Sequence, residues 1–410
     1  MLTFYWRAAL LAVALLPGLV QAAPLSLEQA LELAVQRSAT TRGAQAGALS
    51  AMEVARVAGQ LPDPVLTAGI DNLPVTGRDR LSTTADSMTM KRVGVSQEWL
   101  SADKRAAQRA AAQAAVDREA AMVRIAGAET RLQAALAYVD TFYAAEALAL
   151  ADLMAHHSHE ELEAAKAKLA TVAGSGPEVL ALSSARGISE DEVAEARQAQ
   201  RQADLQLQRW IGSAANGVEP PVFAAVSDEA AFVASHPAVI AAQSDVELTR
   251  QDASVAQTNR QPNWTWGVSY GQRTGYSDMV SVGVSIPIPI APSHRQDRET
   301  AAKLALVDKA EAGLAEAQRI AITEYRSLDA DAERLAERIA RYRVSVLEPA
   351  GQRTAASMAS YRSNQTPLLA LFEARHAEVV AQRKLLSLQR ELARTRAQLA
   401  FKPVTEGDAR

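Results

Sequence analysis

The chain repeats itself. VGVS at Val93–Ser96 returns at Val282–Ser285, and LALSSAR at Leu180–Arg186 returns as LALFEAR at Leu369–Arg375; both pairs lie 189 positions apart. Nearer the N-terminus, Gln45 pairs with Gln243 and Pro64 with Pro262 at 198 positions, so nine extra residues (198 against 189) sit between Pro64 and Val93 in the first copy. Two motifs at one offset mean one structural unit written twice. The halves are expected at 23–215 and 227–401, joined at 216–226, where Gly217, Pro220 and Pro221 interrupt any regular element. Residues 402–410 read as a flexible tail.

Each half has the same order of elements. A helical segment comes first, over 27–60 and 227–261, with Leu27, Leu31, Ala34 and Val35 at helical spacing. Two extended segments follow, at about 64–71 and 88–99, then 263–271 and 279–289. Trp264, Trp266, Val268 and Tyr270 alternate with Thr265, Gly267, Ser269 and Gly271. Val280, Val282, Val284, Ile286 and Ile288 alternate with Ser281, Gly283 and Ser285. Period two with one apolar face is a strand signature. The offsets place Leu66 on the row of Trp264 and Val93 and Val95 on that of Val282 and Val284. Residues 101–171 then contain no proline, and as a helix would run about 100 Å. A tip turn, VAGSGP at 172–177, leads to a return helix. The second copy runs over 296–361, with a kink expected at Pro349, and turns at RSNQTP, 362–367.

Composition restricts what such a chain can do. Arg7, the apolar run Ala8–Leu16, the breakers Pro17 and Gly18, and Val20 and Ala22 before Ala23 read as a signal peptide over 1–22, so the mature chain is expected outside the cytoplasm. There is no cysteine, which rules out disulfides and thiolate ligands and argues against an N-terminal lipid anchor. A net charge of −4 gives no nucleic-acid footprint. Beyond the signal no apolar run of roughly 18 residues suggests a membrane-spanning helix. Phosphate-binding Gly loop, HExxH and nucleophile elbow are all missing, so no enzyme and no cofactor is expected.

Four strands with one apolar face would leave that face bare in water, and they are too few to close a membrane barrel. Copies must join their strands. Leu66, Val93, Val95, Trp264, Trp266, Val282 and Val284 would face lipid, and the Gly/Ser/Thr row a polar lumen. Trp99, Trp264 and Trp266, near strand ends, suit an interfacial aromatic girdle.

The order helix, strand pair, long helix, tip turn and helix, written twice, resembles the TolC outer-membrane efflux family over essentially the whole mature chain. LPDPVLTAGIDNLP at 61–74, MTMKRVGVSQEW at 88–99 and VGVSIPIPI at 282–290 carry the likeness. The wording of 61–99 is most similar to the heavy-metal, CzcC/CusC-type branch, although many relatives there carry a lipidated cysteine that this chain lacks. The resemblance implies an α+β membrane protein of duplicated helical hairpins with four transmembrane strands per chain. It implies a homotrimer with a 12-stranded β-barrel in outer-membrane lipid above a periplasmic α-barrel. It also implies a periplasmic membrane-fusion adaptor, an inner-membrane RND-type pump and passive export, of heavy-metal cations or, alternatively, of organic compounds. A periplasmic coiled-coil adaptor would show one hairpin with flanking β-domains, and a periplasmic metal-binding protein would gather its ligands in a compact domain.

Candidate residues follow. His156 and His159 are i, i+3 on a helix and could share a metal ion, with Glu160 and Glu161 nearby; the second copy has Ser345, Val346 and Glu348 there, which favours a solvated polar face. Glu178 and Glu373 lie beside the tips, where inward carboxylates would form a cation-favouring ring, with Arg362 as a partner holding the entrance shut. The family's docking and gating region maps onto Gly174, Gly176, Leu180, Leu182, Asn364, Gln365, Leu369 and Leu371.

Overall fold

The computed structural model describes residues 24–171, 174–223 and 228–405. The signal-peptide reading lies outside them, as do Val172 and Ala173 of the first tip turn, residues 224–227 and residues 406–410.

Helix α1 (Leu27–Arg37) opens with a capping box: the Ser26 hydroxyl accepts from Gln29 N, and the Gln29 amide oxygen accepts from Ser26 N. It stops at Ser38, and α2 runs over Ala39–Val57. The single helix expected over 27–60 is therefore two. Ser38 is the cause: its Oγ accepts from Thr41 N at 3.1 Å and lies 3.0 Å from Thr130 Oγ1 in a buried contact. The second half breaks in the same place, between α5 (Glu229–Ala234) and α6 (Pro237–Thr258). His236, 198 positions from Ser38, is the cap. Its Nδ1 accepts from Ala238 N, which leaves the proton on Nε2 to donate to Glu324 at 3.2 Å. Burial pushes this imidazole below its ordinary pKa.

Strands β1 (Val65–Asp71), β2 (Met90–Trp99), β3 (Trp264–Gln272) and β4 (Met279–Ser285) form one antiparallel sheet in chain order. Strand β4 is shorter than the 279–289 expected, because Pro287 and Pro289 have no N–H to give a ladder.

From the sheet, α3 (Ala102–Leu169) runs 68 residues without a break, about 100 Å, and α4 (Gly176–Ile211) returns. The second hairpin is α7 (Gln296–Tyr342), a π-helical stretch Arg343–Leu347, α8 (Glu348–Arg362) and α9 (Leu368–Phe401). The π-stretch stands just before Pro349, whose ring would otherwise meet the carbonyl one turn back.

The core is thin and alanine-rich. Ala30 and Ala34 of α1, Ala134, Ala135 and Tyr138 of α3, Leu207 of α4 and Ala397 of α9 pack together, and small side chains let these helices approach closely. The Tyr138 hydroxyl lies 2.7 Å from Leu25 O and 2.9 Å from Glu219 O, and burial pushes it up to about 12. Two expectations change here. Residues 216–223 are not a free linker: Val218 bridges Leu25 in parallel, and Phe223 meets Phe401 edge-on. Residues 402–405 are tied down, since Val404 is buried, its N–H donates to Ser235 O at 2.8 Å, and Lys402 pairs with Glu324. A third change concerns α3, which does hold an 18-residue stretch long and apolar enough by composition to cross a membrane. The middle of this helix is spent on packing instead, with Ala134, Ala135, Tyr138 and Val139 fully buried.

Candidate functional site

Two places in the molecule have geometry that needs explaining: the sheet and the tips. The ladders put Leu66, Val95, Val268 and Val282 in one cross-strand row, and Ala68, Val93, Tyr270 and Val280 in the next. Trp99 pairs with Trp264, and Trp266 with Val284. Every one of these side chains is on the same face. It is bare: Val282 is 75% exposed and Leu66 71%. The opposite face carries Thr67, Gly94, Ser269 and Ser281 in one row, and these residues line a shallow hollow with Arg92 and Ser96. Glycine is required at position 94, because a Cβ there would come within 2.7 Å of Ser269 Cβ. Strands β1 and β4 each have one edge unpaired.

At the far end of the helices the two hairpins meet. Leu162, Ala165, Leu182, Leu368 and Leu371 form a small buried cluster, and Lys168 Nζ sits 4.3 Å over the Tyr361 ring. Glu178 Oε1 accepts from Leu369 N at 3.2 Å. It thereby caps α9, whose N-cap residue Pro367 makes no side-chain cap of its own, and it places negative charge at a helix N-terminus. Arg362 and Glu373 are exposed and form no ion pair among the described residues. Asn364 has φ +57, Gln365 N donates to Ser360 O and Asn364 N to Tyr361 O, which is a Schellman stop with asparagine in the left-handed position. Gly174 is pressed against α3: a Cβ would stand 2.3 Å from the Leu169 backbone, whereas Gly176 has open space. Leu182 and Leu371, equivalent in the repeat, are both buried. Leu180 and Leu369 are not alike, since Leu180 is 73% exposed and Leu369 half-buried. Positions two apart on a helix point about 200° from each other, so 180 and 182 cannot both enter one cluster.

No family model matches the chain, and no curated protein matches it. Solved structures do. The outer-membrane protein VceC of Vibrio cholerae superposes with a TM-score of 0.75 at 18% identity, over 92% of this chain and 96% of that one. The open-state outer-membrane channel MtrE of Neisseria gonorrhoeae gives 0.72 at 17%, over 94% and 90%. CusC gives 0.71 at 16%, over 92% and 91%. The chain has the fold of the TolC-like outer-membrane channels.

Within that fold the histidine cluster sits on the exposed side of α3. His156 Nε2 is 3.3 Å from Glu160 Oε1, and His157 Nδ1 is 3.5 Å from the other oxygen. His159 is exposed, and no group of three or more potential metal-ligating side chains comes together among the described residues. Sequence reading missed a neighbouring feature of the channel fold. Glu161 is 3% exposed and bonds Arg375 at 2.8 Å, while its second oxygen has no partner. Burial raises its pKa to about 7, against the opposing pull of Arg375. The signal was available only in part: Arg375 ends LALFEAR, but its equivalent Arg186 pairs with Glu190 on its own exposed helix face.

Proposed function

We propose that the chain is one protomer of a trimeric outer-membrane exit duct that passively conducts cargo and catalyses no reaction. The observation that carries this is the sheet: an entire apolar face is bare, both edges are open, and the opposite face is small and polar. Lipid is the medium that makes such a face stable, and open edges are not tolerated in it, so strands of neighbouring copies must complete the barrel. Three copies give twelve strands, and the helices, about 100 Å long, continue as a periplasmic tube. A periplasmic adaptor and an inner-membrane RND-type pump then meet the tips around the exposed residues Gly176, Asn364 and Gln365. Passage through the duct needs no bound cofactor.

For cargo, heavy-metal cations are the preferred reading, supported by the wording of residues 61–99. The fold likeness is nearly the same to VceC, MtrE and CusC and so bears on the duct, not on what it carries. The test of the duct is conductance: purified protein should be a trimer in detergent and form open pores in planar bilayers. A monodisperse monomer, soluble without detergent, would contradict it. The cargo is tested separately, by comparing copper, silver, zinc, cobalt and cadmium tolerance with dye export in a strain carrying the cognate pump. Unchanged metal tolerance with lost dye export on deletion would make the cargo organic.

A further inference from the structure

Where the strands give way to helices, the apolar face has a hollow. Trp99, Trp264, Trp266 and Val284 wall it, Ser101, Gln261 and Pro262 form its rim, and its volume is about 610 Å³. That is within the range of small-molecule sites. Three of the chain's five tryptophans stand here. Beside them is a spare cation. The Arg105 guanidinium lies 5.9 Å from the centre of the Trp99 ring, no carboxylate pairs with it among the described residues, and its buried Nε has no hydrogen-bond partner. Its neighbour Lys104, in contrast, is committed to Asn263 at 2.9 Å.

An apolar slot on the lipid face and an unpaired guanidinium at its indole wall together suit a ligand with an acyl chain and an anionic headgroup. We propose that this hollow is a binding site for one anionic phospholipid of the periplasmic leaflet. One acyl chain lies among Trp99, Trp264, Trp266 and Val284, and the phosphate is held by Arg105. Indoles favour the interfacial depth, and basic side chains between packed elements there hold anionic headgroups. The site rests on the lipid-facing reading of the sheet, and it adds a headgroup preference that a uniformly greasy barrel would not have.

The test is tryptophan quenching in bilayers containing chain-brominated phosphatidylglycerol or chain-brominated phosphatidylcholine. Trp210, in the helical part, is the internal reference, and a bimane label on Val282→Cys reports bulk lipid contact. Half-quenching should need roughly fivefold less brominated phosphatidylglycerol than phosphatidylcholine. Arg105→Gln should remove the preference, and Arg105→Lys should retain it. Equal quenching by both lipids in the unsubstituted protein, or a preference that survives Arg105→Gln, overturns the site. So does a case in which neither lipid quenches the tryptophans while the bimane is quenched, since a neighbouring copy would then fill the hollow. If the bimane too escapes quenching, the lipid-facing reading falls and takes this site with it.

Discussion

The two copies of the repeat are alike in the sheet and unlike in the helices. In the first copy α3 runs unbroken and buries twenty of its residues, Tyr138, Val139 and Met154 among them. In the second copy α7 buries four, α8 buries none, and a π-stretch with Val344 66% exposed interrupts the path. In the sheet, by contrast, Val93 and Val282 occupy the same bare face. Even the hairpin registers differ only by an even step: Leu66 opposes Val95 in the first copy, and Trp266, the equivalent of Ala68, opposes Val284 in the second, which keeps every side chain on its face. Both strand pairs expose the same apolar face. In the second copy burial shifts to the return helix, since α9 buries ten residues where α7 buries four and α8 none.

The sharpest way to break this contrast is Tyr138→Ala against Val344→Ala. The first should cost about 3–5 kcal/mol, as a fully buried aromatic with two carbonyl partners, and the second less than about 0.5. Urea unfolding in detergent measures both, and equal shifts would mean the π-stretch is as deeply packed as the middle of α3. Next is the equivalent pair Arg375 and Arg186. Arg375→Ala should cost about 3–5 kcal/mol at pH 8 by stranding the buried Glu161, whereas Arg186→Ala, which loosens an exposed pair, should cost at most about 1. pH adds a sign. The Glu161 carboxyl is raised from its ordinary value to about 7, so the folded protein holds a proton that the unfolded chain gives up earlier, and stability falls as pH rises from about 4.5 through 7. Glu161→Gln should flatten that slope between pH 5 and 7.5 in melting experiments, and an unchanged slope would place its origin elsewhere.

In the sheet the copies should respond together. Val93→Lys and Val282→Lys should each cost about 2–4 kcal/mol of barrel stability and lower the trimer recovered from membranes, while Ser285→Lys on the polar face should be tolerated and alter conductance. Unequal losses at the two valines would show that the strand pairs do not share one environment. The smallest effect belongs to the tip. Asn364→Ala should cost about 1–2 kcal/mol for its left-handed backbone and Asn364→Gly almost nothing, whereas Gly176→Ala, with open space around it, should cost nothing measurable.

Strand faces were legible because period two writes itself into Trp264–Gly271 and Val280–Ser285, and the long helices because nothing between 101 and 171 breaks one. The end of β4 was legible too, in Pro287, but the apolar alternation through Ile288 ran past it. The breaks at Ser38 and His236 were harder, since apolar spacing continues across them and only the caps, held by Thr130 and Glu324, fix the position. At the tip, the role of Glu178 as cap of α9 and the Glu161–Arg375 pair join residues 191 and 214 positions apart, which no local pattern records. The docked segments 216–223 and 402–405 escaped notice for the same reason.

In the proposed trimer β1 of one copy completes the open edge of β4 of the next, and the absence of native cysteine makes this directly measurable. Leu66→Cys combined in turn with Val280→Cys, Val282→Cys or Val284→Cys, oxidised in intact outer membranes, samples the register at that seam. At least one pair should give disulfide-linked dimers and trimers on non-reducing gels, ending at three copies. No intermolecular product from any pair, or a ladder extending past three, would contradict it.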